Sequence, residues 1–529
     1  MIRLPLKLMI RVFTLMIISN SPICSQGLTS RQIDSLVART MKMMPLAGLA
    51  VAVVKDGKVV HAKGYGITAV SSKQNVDENT LFAIASNSKA FTTAALAILV
   101  DEGKLRWHDK VVDYIPEFRM YNPYVTVNFN IQDLLTHRSG LGLGAGDLMF
   151  FPDGSNFTVN DVIRSFQYQV PVSAFRTKYD YDNLLYVVAG EVVSRVSGMS
   201  WSEFVQKRIM NPLGMTRSAG VFQNIKDRSN IASPHSVVDA SLKELKPYTK
   251  SDESLGAAGG IYASVNDLSK WMLMHLNNGR YGEGLSHELI SEASRKELWR
   301  PHTFINFTMT PDARNNTHFT AYGLGWRLHD QTGHIVVSHT GGLPGMLSKT
   351  TLIPDLKLGV VVLTNTDPGG RSFQTISMSI VDSYLGLDPF DYISDARQTL
   401  HVRENAAGAV VREVWRVIQQ NKPPTIPLAN LVGTYRDKWF GDVTIAMRDG
   451  ALWFTSLRSP KLTGRMYYYQ ANTFAVKWEY QDMDCDAFAT FTLDENGYGT
   501  AIGMKGISPN IDFSFDFHDL KLQKVKPEN

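Results

Sequence analysis

Apolar positions repeat along this chain with two different periods, and the places where the period changes mark its elements. Residues 31–43 carry apolar side chains every three to four positions, which predicts an amphipathic helix. Residues 49–54 and 59–65 read as strands on either side of Lys55-Asp56-Gly57-Lys58, a hairpin signature. Residues 90–100 form an Ala-rich apolar run closed by Asp101-Glu102-Gly103-Lys104, which predicts a buried helix ended by its glycine. A second apolar helix is predicted over 184–193. Strands return at 335–338, 347–353 and 358–364, with a closing helix over 373–385.

A third region follows. Residues 401–420 predict a helix, and Asn421-Lys422-Pro423-Pro424-Thr425-Ile426-Pro427 is too rich in proline to continue it. Beyond it the pattern turns to short alternating strands. Residues 443–447 and 451–455 flank Arg448-Asp449-Gly450, and 488–493 leads into the Asn496-Gly497 turn. Trp453, Phe454, Tyr467, Tyr468, Tyr469 and Phe474 are expected in the core of this part. The chain therefore divides into residues 30–390, a helix and Pro-rich linker over 391–427, and a β-rich domain over 428–529.

Candidate chemistry starts at Ser86-Asn87-Ser88-Lys89. A helix brings residues i and i+3 onto one face, so Ser86 and Lys89 can touch, and the amine can take the hydroxyl proton. Only Ser86 has Lys89 at that spacing; Ser88 does not. A lysine at the mouth of a buried helix is desolvated, which moves its pKa down toward use as a base. Tyr181 and Asn183 stand on the loop entering the second apolar helix, where a phenol can relay a proton and a carboxamide can hold an amide. Far downstream, a strand runs into His339-Thr340-Gly341-Gly342, whose glycines let the backbone approach a ligand closely.

In this order and spacing, Ser86-x-x-Lys89, Tyr181-x-Asn183 and His339-Thr340-Gly341 resemble the three motifs of the penicillin-binding and serine β-lactamase superfamily. The resemblance is to the class C-like branch, peptidase family S12, which holds D-aminopeptidases, family VIII esterases and LACTB-like proteins. Leu134-Leu135-Thr136-His137-Arg138-Ser139-Gly140-Leu141, Asn211-Pro212-Leu213-Gly214-Met215 and Ala258-Gly259-Gly260-Ile261-Tyr262-Ala263-Ser264 extend it across residues 30–390. The resemblance implies an α+β fold, an antiparallel sheet flanked by helices plus an all-helical region bearing Tyr181, with the active site between the two. Leu431-Val432-Gly433-Thr434-Tyr435 opens the last region as in the lipocalin-like β-barrels appended to many members of the branch.

The same resemblance implies roles. Ser86 attacks a carbonyl, Lys89 receives its proton, Tyr181 completes the relay to the leaving group, and Asn183 holds the acyl-side amide. The oxyanion sits between the backbone N–H groups of Ser86 and Gly342, with His339, Thr340 and Gly341 beside the substrate. No cofactor or metal is expected, since His137, His235, His318, His334 and His339 are scattered rather than at ligand spacing. Most β-lactamases carry lysine where this chain has His339. A permanent cation there favours substrates with a free carboxylate, so histidine points toward an ester, a peptide or an amide rather than an antibiotic, with weak β-lactamase activity as a side reaction.

Net charge narrows the partners. Of the formal +4, Arg3, Lys7 and Arg11 carry three charges within an N-terminal segment free of acids, so nothing in the body argues for nucleic acid. Residues 1–25 read as a secretory signal: a basic start, a short apolar core at 12–18 and a polar stretch with small residues. The competing reading is a mitochondrial presequence. The apolar core is too short to span a bilayer, so no stable membrane insertion is expected. Cleavage after Ser25 leaves Cys485 as the only thiol. Asn156, Asn306 and Asn315 head N-glycosylation sequons. The expectation is a secreted or periplasmic serine hydrolase with a small-molecule or peptide substrate, its last domain serving substrate access or self-association. The alternative is an extracellular matrix protein of the gigasin-6-like, shell-associated kind, in which catalysis is secondary.

Overall fold

The computed structural model describes residues 27–238, 241–248, 254–367 and 371–526; the signal-like segment 1–25, with Cys24, lies outside them. Strands β1 (Gly48–Lys55) and β2 (Lys58–Gly66) form the hairpin, turned by Asp56 and Gly57 at φ 49° and 79°. Two successive positive φ values are what a two-residue type I′ turn requires. Six more strands complete the sheet: β3 (Thr303–Phe307), β4 (Phe319–Tyr322), β5 (Arg327–Gln331), β6 (His334–Leu343), β7 (Met346–Ile353) and β8 (Leu358–Thr364). The order across the sheet is β2-β1-β8-β7-β6-β5-β4-β3, antiparallel throughout.

Strands β1 and β8 are buried on both faces, and their side chains sort by parity. Val51, Val53, Val360 and Val362 meet Ile33 and Val37 of α1 (Ser30–Met43) and Ile376 and Ile380 of α5 (Ser372–Leu385). Ala50, Ala52, Val361 and Leu363 face the opposite way, toward Trp271 and Met272 of α4 (Val265–Leu276) and the helical region. That region is built around α2 (Ser88–Asp101) and α3 (Leu184–Ser197). Gly103 at φ 69° takes the left-handed position after α2, as its sequence suggested.

The structure corrects three local expectations. Strand β6 does not end before His339; it continues through the whole motif to Leu343, because β7 pairs with it residue by residue from Leu352 to Met346. Helix α6 (Tyr392–Gln419) starts nine residues before the predicted 401, since Asp391 caps it by accepting the N–H of Ser394 at 3.2 Å. The third concerns the barrel.

Residues 433–524 close into an eight-stranded antiparallel barrel: β9 (Gly433–Asp437), β10 (Gly441–Arg448), β11 (Ala451–Ser456), β12 (Thr463–Gln470), β13 (Thr473–Trp478), β14 (Ala487–Leu493), β15 (Gly499–Gly506) and β16 (Leu522–Lys524). Phe454 and Phe474 are buried inside, and Tyr468 meets Phe474 at 5.6 Å. Trp453, Tyr467 and Tyr469 are not core. Strand side chains alternate, so the neighbours of inward residues must point out. Tyr467 instead meets Trp415 of α6 at 5.4 Å, and Tyr469 joins Val414 and Ile418 in the apolar seat of that helix.

Candidate active site

Strands β5, β6 and β7, the helical region and the barrel meet around a cavity of about 450 Å³ lined by Ser86. Ser86 sits in a 3-10 turn, Ala85–Asn87, that runs directly into α2, rather than within the α-helix itself. Ala85 holds φ 48°, a left-handed value that a non-glycine residue adopts only under constraint from its surroundings. The constraint is visible: the carbonyl of Ile84 accepts from Ser348 Oγ at 2.7 Å, and Gly341 of β6 packs on the turn. A Cβ at Gly341 would lie 2.9 Å from the Ser86 nitrogen and overlap the Ile84 carbonyl. From Leu81 to Leu99 every residue is buried except Ser86. Ser88, fully buried, accepts the N–H of Ile261 at 3.1 Å, so Ser86 is the hydroxyl presented to the cavity.

Lys89 is completely buried, and its Nζ donates to Ser86 Oγ at 3.1 Å, Asn183 Oδ1 at 2.6 Å and the Ala258 carbonyl at 2.9 Å. Among the described residues no carboxylate touches it. Burial brings its pKa down to about 7, against the opposing pull of Asp147 and Asp182. Tyr181 lies over the same amine, with its ring centroid 4.8 Å from Nζ. Burial raises its phenol well above the ordinary value, while a hydrogen bond to Ser86 works against that. It is therefore a neutral phenol, able to accept one proton and donate another.

Asn183 stands at the N-terminus of α3 with both ends of its amide occupied: Oδ1 by Lys89, and Nδ2 donating to Asp147 Oδ2 at 2.8 Å. These two bonds fix Lys89 from one side, and Asn183 still lines the cavity where a substrate amide would lie. His339 is buried, and its Nδ1 donates to the Thr340 carbonyl at 2.6 Å. A carbonyl can only accept, so that nitrogen carries the proton and Nε2 accepts from Tyr322 Oη at 2.8 Å. Burial, then the cations Lys89 and Arg327, push its pKa down to about 3, so it is neutral. Thr340 and Gly342 line the cavity; Gly341 does not, and serves to bring β6 against the nucleophile turn.

Several residues of the site had no sequence signal. Arg327 on β5 lines the cavity and donates to Tyr179 Oη at 3.0 Å. It supplies the cation that the third motif lacks, which removes the charge argument against carboxylate-bearing substrates. His137, in the Leu134–Leu141 phrase, accepts the N–H of Asp182 at 3.0 Å and packs on Tyr181 with ring centroids 4.2 Å apart. Loop 142–153 contributes Leu143 and Phe151 to the wall, whereas 221–255 contributes Leu255 alone among its described residues. Asp367, Met483, Asp512, Phe513 and Ser514 complete the wall, the last four from the barrel domain. Among the described residues no group of three or more His, Cys, Asp or Glu side chains is placed to hold a metal ion, and no helix is long and apolar enough to cross a membrane.

A serine beside a buried lysine, in the turn that opens a helix between an antiparallel sheet and an all-helical region, defines a serine hydrolase of the acyl-transfer kind. The chain belongs to the beta-lactamase family, whose model, described as Beta-lactamase, matches residues 33–384. Residues 419–524 match a domain of unknown function, DUF3471. The chain is similar to the unguisins hydrolase ungD' of Aspergillus campestris, 27% identical over 426 residues, covering 78% of this chain and 76% of that one. Among solved structures it resembles the octameric penicillin-binding protein homologue of Pyrococcus abyssi, with TM-score 0.60, 20% identity and 94% and 100% of the two chains covered. It also resembles the D-amino acid amidase of Ochrobactrum anthropi, with TM-score 0.55, 19% identity and 69% and 98% covered.

Proposed function

We propose that the protein hydrolyses an amide bond of a small peptide through an acyl-enzyme on Ser86. The observation that carries this is the 3.1 Å contact between Ser86 Oγ and Lys89 Nζ, an amine with no carboxylate partner among the described residues. Ser86 Oγ attacks the carbonyl carbon while its proton passes to neutral Lys89. The oxyanion lies between the backbone N–H groups of Ser86 and Gly342. Tyr181 hands a proton to the leaving nitrogen, and water then releases the acyl group by the same path in reverse. A wall that presents Arg327 together with Asp367 and Asp512 suits a peptide carrying both charges better than a neutral ester. The similar unguisins hydrolase and the D-amino acid amidase of similar fold support peptides and amides, those with D-residues included.

The matrix-protein alternative gives no use to the buried lysine. A buried amine costs a fold its desolvation even when hydrogen-bonded, and a scaffold with no chemistry to perform gains nothing by keeping one. Ser86→Ala should abolish turnover of p-nitrophenyl acetate and of a D-amino-acid amide panel, and remove the acyl adduct from the intact mass. Residual turnover in that variant would sink the mechanism. Secretion remains part of this reading, on the strength of residues 1–25 and of Asn156 and Asn306, both exposed. Intact mass of protein recovered outside the cell tests it: an uncleaved N-terminus without glycans would contradict it.

A further inference from the structure

The barrel's last long connection, between β15 and β16, leaves its own domain and enters the catalytic one. Asp516, fully buried, accepts the N–H groups of Gly146 at 2.7 Å and Leu148 at 2.9 Å. Phe513 meets Tyr181 edge-on at 6.1 Å, and its carbonyl lies where a side chain at Gly144 would have to go. Between them Ser514, buried, donates from Oγ to Asp147 Oδ2 at 3.0 Å. The same Asp147 oxygen accepts from Asn183, and Asn183 accepts from Lys89. One hydrogen-bond chain thus runs from the barrel, through Asp147 and Asn183, to the amine beside Ser86. Among the described residues Asp147 Oδ1 has no partner, so the carboxyl is held through the oxygen that Ser514 and Asn183 share.

We infer that Ser514 of the barrel and Asp147 are positioning residues for the acyl-transfer reaction: they fix Asn183, orient Lys89, and set the pH at which Lys89 takes the proton of Ser86. The inference rests on the proposed role of Lys89 as the base. Burial pushes Asp147 up to about 8, near the value of Lys89, so the two share charge within one neutral cluster. Among the described residues the other groups facing this cluster are Asp182, Asp516, His137, His339, the cation Arg327, and the phenols of Tyr181 and Tyr186. His339 is neutral at the pH of interest, and burial lowers His137 in the same sense.

The sign follows from which form each group favours. An anionic Asp147 favours the ammonium of Lys89, so its loss makes the free amine available at lower pH. Removing the Ser514 hydroxyl takes a donor from the carboxylate and acts in the same direction, less strongly. The experiment follows kcat/KM for p-nitrophenyl acetate against pH in the full-length protein. Asp147→Asn should move the acidic limb down by about one pH unit. Ser514→Ala should move it by about half that and lower the plateau roughly tenfold. Ser514→Thr, which keeps the hydroxyl, should restore the wild-type limb. An unmoved limb in either Asp147→Asn or Ser514→Ala overturns the inference. Should Ser514→Ala fail to fold, the limb of the near-isosteric Asp147→Asn decides it. Absence of Ser86-dependent turnover in the wild type is a separate result, and would strike the proposed function instead.

Discussion

At the scale of single residues, Lys89 shows the tension between stability and chemistry most clearly. Burial takes its pKa from 10.5 to about 7, so between those values the unfolded chain holds a proton that the folded chain has lost. Stability must therefore rise with pH through that window and be flat below it. Lys89→Met keeps the length and removes the charge; it should be more stable than the wild type by about 1–3 kcal/mol at pH 7. The gap should narrow as pH approaches 10, and the variant should be inactive. Urea unfolding at several pH values measures this, and a gap independent of pH would refute the assigned burial cost. Ser86, Lys89, Tyr181 and His339 were legible because each is a residue type with its own chemistry at a spacing that chemistry needs. Asp147, Arg327 and Ser514 were not, because hydrogen-bonding and charged residues of their kinds occur everywhere along the chain and only the fold brings these three to the cavity.

At the scale of elements, the nucleophile turn and strand β6 act as one piece. Gly341 is in that strand because the Ile84 carbonyl and Ser86 nitrogen leave no room for a Cβ. Gly341→Ala must push β6 away from the turn or force the turn out of its left-handed bend at Ala85. Either should cost about 1–3 kcal/mol and displace the Gly342 N–H from the oxyanion. Activity should fall about 100-fold or more. Thermal unfolding and kcat measured together check this, and a variant with wild-type kcat would show that the strand does not form that wall. Strand positions were readable where alternation or a full apolar run marked them, as in β1 and β8. The continuation of β6 through His339-Thr340-Gly341-Gly342 was not, because two adjacent glycines signal a turn locally, and only pairing with β7 keeps them extended. The outward aromatics of the barrel failed for a related reason: Tyr467, Tyr468 and Tyr469 are one apolar run in sequence, yet the strand period places the middle residue on the opposite face from its neighbours.

At the scale of the whole molecule, the sequence separated the barrel from the catalytic domain at a Pro-rich linker, and the structure ties them together again. Arg458 of the barrel pairs with Asp161 at 2.8 Å and donates to Asn156 Oδ1 at 2.8 Å, and Lys461 pairs with Asp153. These contacts are partly exposed and individually worth little. Asp516 is different: its carboxylate caps two backbone N–H groups of the loop that carries Asp147 and supports Tyr181, and Gly144 of that loop donates its N–H to the Tyr181 carbonyl at 2.8 Å. Removing a buried acceptor strands both donors, at about 1–3 kcal/mol each. The loop should bear that loss first, because the core that β1 and β8 share with α1 and α5 contains no barrel residue. In Asp516→Ala the amides of Gly146 and Leu148 should therefore exchange with solvent about tenfold faster or more, while amides in β1 and β8 keep wild-type protection. Activity should fall with the loop. If instead the slowing of exchange is lost across the central sheet as well, the two domains unfold as one unit and the barrel connection supports the fold as a whole; if neither changes, the connection only lies against the site without holding it.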